Sequence, residues 1–316
     1  MKVLIGYDGS DCSEAAIYDL HRAGLPADVE AVVMTSADVS PNLPSSCYEP
    51  ADPEALAKKP QIIHNARLLA QSALAEAKRV AARGVERVLS EFPTWKVSAA
   101  TAGDYSPYRA LVHKADEWHP DLLVVGSHGR SAAARVLLGS VAQNVLAHAA
   151  CSVRIARFRE LSGRPESGPV CLVLGIDGSP DSAAAASAIA ERPWPTGCQV
   201  LVIVAVDPLT SMALAYGPSV KGFGPVVGPG GDILSRARDM AKSVAKELRR
   251  EGLSAVSIVQ EGNPKQVLLR EAEACRADCI FLGAKGHGRM ERFLLGSVSA
   301  AVAARATCAV EVVRQG

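Results

Sequence analysis

The chain contains one pattern twice. Residues 3–10 read VLIGYDGS and residues 172–179 read LVLGIDGS; residues 121–140 read DLLVVGSHGRSAAARVLLGS and residues 278–297 read DCIFLGAKGHGRMERFLLGS. Asp8 and Asp177 lie 169 positions apart, Gly126 and Gly283 157, so the first copy carries 12 extra residues between these landmarks. The spacing from Asp8 to Asp38 equals that from Asp177 to Asp207, and the spacing from Pro107 to Gly126 equals that from Pro264 to Gly283. The extra length therefore falls between Asp38 and Pro107. Self-similarity on this scale means two copies of one domain, which suits a chain of 316 residues. The stretch 157–169, RFRELSGRPESGP, mixes Gly, Pro, Ser and charge without periodicity and reads as a linker. The expected domains are 1–158 and 170–316, joined by 159–169.

Each copy alternates apolar runs with helical patterns. In the first, strands are expected at 2–7, 29–36, 95–101, 121–125 and 152–156. Helices are expected from a Ser10 or Asp11 cap to about residue 23, at 62–89 with a weak interruption at Gly84, at 107–118 opened by proline, and at 139–149. A Pro- and Ser-rich loop is expected at roughly 38–60. The second copy follows the same order and closes on a strand at 309–313. Apolar strands alternating with helices give an α/β fold with a parallel sheet covered on both faces. Right-handed crossovers then favour two tandem doubly wound five-stranded sheets of order 3-2-1-4-5.

Composition narrows the function. The net charge is +1 and aromatic residues are 4%, which argues against nucleic acid as a partner. The opening MKVLIGYDGS is too short and too polar for a secretory signal, and the longest aliphatic run, 200–206, is far below a membrane span. Eight cysteines with no C-x-x-C pair are expected to be reduced core or loop residues in a cytoplasmic protein.

The chemistry gathers in G-x2-G-x9-G-S: Gly126, Gly129, Gly139 and Ser140 in one copy, and Gly283, Gly286, Gly296 and Ser297 in the other. Gly126 ends a strand where the chain turns sharply. Gly129 lets backbone amides approach an anion. Gly139 and Ser140 open a helix whose free N–H groups and dipole favour phosphate. Asp8 and Asp177 end the first strand of each copy and face that loop across the switch point. There a carboxylate accepts from ribose hydroxyls or holds a metal bridged to phosphates. No G-K-[ST] follows, so this is not the Walker pattern. Turn and packing glycines preserved by duplication would leave the same spacing.

These residues resemble the ATP-binding branch of the universal stress protein family: the strand-end Asp with Gly-Ser, the glycine motif, and LLGSV. The resemblance covers nearly the whole chain, twice. It implies that Asp8 and Asp177 line an adenosine pocket and that the backbone at Ser36 and Ala205 reads the adenine edge. Ser36 stands where an apolar residue is usual. It further implies phosphate contacts at Gly126, Ser127, Gly129, Gly139, Ser140 and Val141, and at Gly283, Gly286, Gly296, Ser297 and Val298. The implied ligand is ATP, or AMP or ADP, with Mg²⁺ or Mn²⁺. The resemblance also implies antiparallel pairing of edge strands, here within one chain as a pseudo-dimer, with homodimerisation open.

Other residues near the loop are His128, matched by Lys285, and Arg130, matched by His287; these contact phosphate or are freely varying loop positions. No catalytic residue is assigned. Asp104 and Asn263 read as turn or cap residues. The Gly- and Pro-rich stretch 217–231 reads as a loop near the mouth, or as a lid. The function expected is a nucleotide-dependent regulatory module in the stress response without efficient turnover. The alternatives are a slow Mg-dependent ATP hydrolase and an interaction protein with non-functional nucleotide sites.

Overall fold

The computed structural model describes residues 1–38, 53–104, 106–128, 138–157, 168–207, 231–286 and 295–315, with backbone alone at 53–63, 104, 231 and 232. The first half runs β1 (Lys2–Gly6), α1 (Asp11–Asp19), β2 (Glu30–Asp38), α2 (Pro53–Glu91), β3 (Lys96–Asp104), α3 (Pro107–Trp118), β4 (Leu122–Gly126), α4 (Ser140–His148) and β5 (Ser152–Ala156). The second runs β6 (Cys171–Gly175), α5 (Pro180–Ala190), β7 (Gln199–Val206), α6 (Gly231–Arg250), β8 (Ser254–Glu261), α7 (Pro264–Ala274), β9 (Cys279–Gly283), α8 (Ser297–Arg305) and β10 (Ala309–Val313).

Local chemistry accounts for these bounds. Val3, Leu4 and Ile5 of β1 are wholly buried, as a strand covered on both faces requires. Ser10 caps α1 by accepting from the Ser13 N–H, and Ser179 caps α5 by accepting from Ser182. Prolines open α3, α5 and α7. Asn263 caps α7 as expected, accepting from the Lys265 N–H. Asp104 does not play that part: β3 continues through it, and the residue before α3 is Ser106.

The second helix of each copy departs most from expectation. It spans 39 residues in α2 against 20 in α6, and it starts at Pro53, inside the stretch read as loop. Nor does Gly84 interrupt it. A Cβ there would stand 2.7 Å from Tyr7 Cδ1 and 2.7 Å from Val33 Cγ1, so the glycine marks where the helix lies closest to β1 and β2. The stretches 39–52, 158–167 and 208–230 lie outside the described residues, and with them the first part of the expected loop at 38–60, nearly all of that at 217–231 and most of the linker.

The strands form one ten-stranded sheet of order β3-β2-β1-β4-β5-β10-β9-β6-β7-β8. Each half has the order 3-2-1-4-5 with all pairs parallel. The halves meet where β5 and β10 pair antiparallel, with Ile155 opposite Val310, Arg154 opposite Glu311 and Val153 opposite Val312. One face of the sheet carries a core common to both halves, including Leu111, Leu146, Val153, Leu268, Val302 and Val310. The other face carries two separate cores, one under α1 and α2 and one under α5 and α6.

Charges cross the seam. Arg154 donates to Asp19 at 2.6 Å and to Glu311 at 3.1 Å, and Glu311 also accepts from Arg192 at 3.0 Å. Arg22 of the first half grips Asp278 of the second with two bonds of 2.9 Å. Beyond the strands, Arg314 donates to the Leu146 carbonyl of α4 at 2.6 Å, and Arg157 donates to the Ala303 carbonyl of α8. Both carbonyls lie in the last turn of a helix, where no intrahelical N–H reaches them.

Candidate functional site

A cavity opens at the carboxyl ends of the strands in each half, beside the point where β1 and β4, or β6 and β9, diverge. This is the usual ligand position in open α/β sheets. The first cavity, of about 260 Å³, brings together Asp8, Ser36, Gly126, Ser127, His128, Gly139, Ser140 and Val141. The second, of about 510 Å³, brings together Asp177, Ala205, Gly283, Gly286, Gly296, Ser297 and Val298. Gly129, Arg130 and His287 lie outside the described residues.

Each aspartate is fixed by the residues that follow it. Asp8 Oδ1 accepts from the Ser10 N–H at 3.0 Å and from the Ser10 hydroxyl at 2.6 Å, and Asp177 Oδ1 accepts from the Ser179 N–H at 2.9 Å. Gly9 and Gly178 complete these turns with φ of 76° and 84°, which is why D-G-S recurs. The carboxylates are thereby held on the cavity wall.

The motif glycines serve close packing. A Cβ on Gly126 would stand 2.6 Å from the Cys12 carbonyl oxygen, and one on Gly283 would stand 2.6 Å from Asp181 C and Ser182 N. The first turns of α1 and α5 thus rest directly on these glycines. That contact, rather than the sharp turn expected, is what excludes a side chain. Gly286 lies against Asp177, where a Cβ would meet Oδ2 at 2.7 Å.

Gly139 and Gly296 behave alike. Each donates its N–H back to the strand end, to Ser127 at 2.8 Å and to Ala284 at 2.7 Å. These two amides are therefore committed to the protein. Each glycine is also the N-cap of its helix, and neither α4 nor α8 has a side-chain cap. The first-turn amides of α4 and α8, at Ser140 and Val141 and at Ser297 and Val298, have no intrahelical acceptor and belong to residues lining the cavities. In the same molecule α1 and α5, whose first-turn residues Ser13 and Ser182 also line the cavities, are capped by serine. The ends of α4 and α8 at the cavities carry no side-chain cap and are open to an anion.

Polar groups line the rest. Ser36 Oγ and His128 Nε2 in the first cavity are buried without a hydrogen-bond partner among the described residues. His128 Nδ1 meets Ser127 Oγ at 3.1 Å. In the second cavity Lys285 takes the place of His128. Its N–H donates to Asp181 at 3.0 Å and its carbonyl accepts from the Ser179 hydroxyl at 3.1 Å. No group of three or more His, Cys, Asp or Glu suited to a metal occurs among the described residues.

Sequence reasoning passed over several wall residues. Tyr7 and Met34, with Ile176 and Ile203 in the matching places, flank the carboxylates, and Leu111 and Leu268 form the apolar floor. Burial and a hydrogen bond to Glu14 push the Tyr7 phenol up to about 12. The repeat contained the signal, because each of these residues stands at a fixed offset from a strand end.

Cradle and walls together suit a ligand with an apolar ring at one end and phosphate at the other. Open helix amides, glycines that admit no Cβ, and unpartnered polar atoms on the wall all fit such a molecule. A divalent ion fits only as cargo of the phosphates, since among the described residues a single carboxylate lines each cavity. No helix among the described residues is long and apolar enough to cross a membrane.

Known proteins share this architecture. The chain is similar to the universal stress protein Rv2005c of Mycobacterium tuberculosis, 27% identical over 99% of this chain and 97% of the relative. It is also similar to a Mycolicibacterium smegmatis universal stress protein, 30% identical over 61% of each. Among solved structures, an Archaeoglobus fulgidus universal stress protein superposes with a TM-score of 0.63 at 18% identity, covering 100% of this chain and 98% of that one. A Pseudomonas aeruginosa protein described as a putative universal stress protein superposes at 0.57 and 14%, covering 99% and 92%. The universal stress protein family model matches residues 1–157 and again 172–314. With two such matches spanning most of its length, the chain belongs to the universal stress protein family.

Proposed function

We propose that the chain binds adenine nucleotide at the strand ends of both halves and acts as a nucleotide-dependent regulatory module in the stress response of the cytoplasm. The observation that carries this reading is the contrast in helix caps. At the cavities α4 and α8 open on glycine with bare amides, while α1 and α5, whose first turns also line the cavities, are closed by serine. Phosphate is the ligand such amides favour. Asp8 and Asp177 would accept from ribose hydroxyls, and the backbone at Ser36 and Ala205 would meet the adenine edge. Val141 and Val298, with the serines before them, would supply amides to the phosphates. Mg²⁺ or Mn²⁺, if it enters, comes with the phosphates.

The same geometry argues against efficient hydrolysis. His128 turns its Nδ1 to a serine hydroxyl rather than a carboxylate, so no oriented general base stands in the first cavity among the described residues. The second cavity places a lysine there. Binding would then act by selecting between partners, with any turnover slow.

The test is release of bound nucleotide. Freshly purified protein is denatured and the supernatant examined by mass; adenine nucleotide at about one or two equivalents per chain is expected. Absence of nucleotide, together with no binding of ATP at millimolar concentration, overturns the proposal. A steady-state assay with Mg²⁺ separates the enzymatic alternative, because many turnovers abolished by Asp8→Asn would favour an ATP hydrolase.

A further inference from the structure

We propose that the two cavities take different members of one ligand class: the second a nucleoside polyphosphate, the first a nucleoside carrying a single phosphate. This rests on the nucleotide reading and goes beyond it, since duplication alone predicts two equivalent sites.

Size gives the first argument. The second cavity, at about 510 Å³, lies within the ordinary range for small-molecule sites, whereas the first, at about 260 Å³, falls just below it. Tyr7, held to Glu14, lines the first cavity where Ile176 lines the second.

Charge gives the second argument. Each added phosphate brings negative charge that the site must balance. The second cavity offers Lys285, a cation with three donors, whose backbone is pinned by Asp181 and Ser179. Among the described residues the first offers an imidazole in that place, His128. A triphosphate is matched by the lysine, and a short anionic group by one imidazole N–H with the amides of α4.

Unpartnered polar atoms give the third argument. Ser36 Oγ and His128 Nε2 both line the first cavity, are buried, and lack partners among the described residues. Burying such groups is costly unless something bonds to them. In the second cavity the Ser36 position is Ala205. Gln260 lies opposite Ala205 in register and has an unpartnered Oε1, yet it does not line that cavity. The first cavity is therefore lined for a compact, polar ligand that satisfies two fixed groups, and the second for a longer and more charged one.

Calorimetric titration of the full chain with AMP and with ATP, both with Mg²⁺, tests this. The expected result is one equivalent of tight ATP per chain, with one equivalent of AMP still binding when ATP is saturating. Ser36→Ala should weaken AMP about tenfold more than ATP, and Lys285→Ala should weaken ATP about tenfold more than AMP. The wild-type competition needs no variant to fold. If ATP fills two equivalents with one affinity, or saturating ATP abolishes AMP binding, the inequivalence is overturned while the nucleotide reading stands. If neither nucleotide binds, both fall.

Discussion

Arg154 and Glu311 occupy the same place in the two halves and face each other across the seam, 3.1 Å apart and both fully buried. Their offset of 157 residues is the one that carries Gly126 onto Gly283. A symmetric pairing of two identical halves would set arginine against arginine or glutamate against glutamate there. Glu311→Gln leaves Arg154 and Arg192 with less than their counter-charge, and a loss of about 3–5 kcal/mol is expected. Chemical denaturation of the two proteins checks it; a loss under 1 kcal/mol would show the pair to be idle.

The same carboxylate sets a pH dependence. Burial pushes Glu311 up, but Arg192 and Arg154 outweigh it and hold the group below the ordinary carboxylate range. A depressed folded value means that the contribution is complete above the unfolded value, about 4.3, and drains away as pH falls below it. Stability measured from pH 6 down to pH 3 should fall more steeply in the wild type than in Glu311→Gln. Parallel curves would contradict the assignment.

Gly84→Ala sets two effects against each other. Helix propensity gains up to about 1 kcal/mol. The new Cβ meets Tyr7 and Val33 at 2.7 Å, and overpacking of that kind costs about 1–3 kcal/mol. Net destabilisation is expected, visible as a lowered Tm. An equal or raised Tm would mean that α2 can lift off the sheet.

Gly126→Ala should cost more than Gly139→Ala. The first drives a Cβ to 2.6 Å from the Cys12 carbonyl, while the second approaches only to 3.1 Å of the Ser127 carbonyl. Neither neighbour is a flexible side chain, so distance decides the order. Paired unfolding curves give the comparison.

Thiol chemistry offers a direct measurement. A hydrogen bond from Cys171 pulls the half-buried Cys275 down to about 7 against the effect of burial, whereas burial pushes Cys151 up to about 11 and Cys198 to about 12. Iodoacetamide at pH 7.5, with sites read by mass, should modify Cys275 ahead of Cys151 and Cys198.

Much of this was legible in the sequence. The bounds of α3, β5 and β10 were readable because proline, flanking polar residues and apolar runs define them locally. The strand order followed from right-handed crossovers together with the doubly wound arrangement of five alternating strands. Gly84 misled because a glycine in a helix reads as a defect until the sheet beneath it is seen. Gly126 and Gly283 were noticed for their spacing, but contact with α1 and α5 joins residues more than 100 positions apart. The start of α2 at Pro53 was hidden because proline and serine signal loop and first turn alike. In the candidate site, the carboxylates and glycines stood out by repetition. Tyr7 went unweighted because the residue at that place differs between the copies, whereas Lys285 was noticed as the counterpart of His128. Arg154 and Glu311 did leave a trace, as the lone charges in SVRIA and AVEVV.

The guanidinium of Arg314 completes α4, and that of Arg157 completes α8. Each half finishes a helix that belongs to its twin, and that helix begins at the twin's cavity. Separating the two halves would strip both helices of these partners and uncover the β5 and β10 edges with their buried charges. The repeats are thus joined by far more than the chain that runs between them.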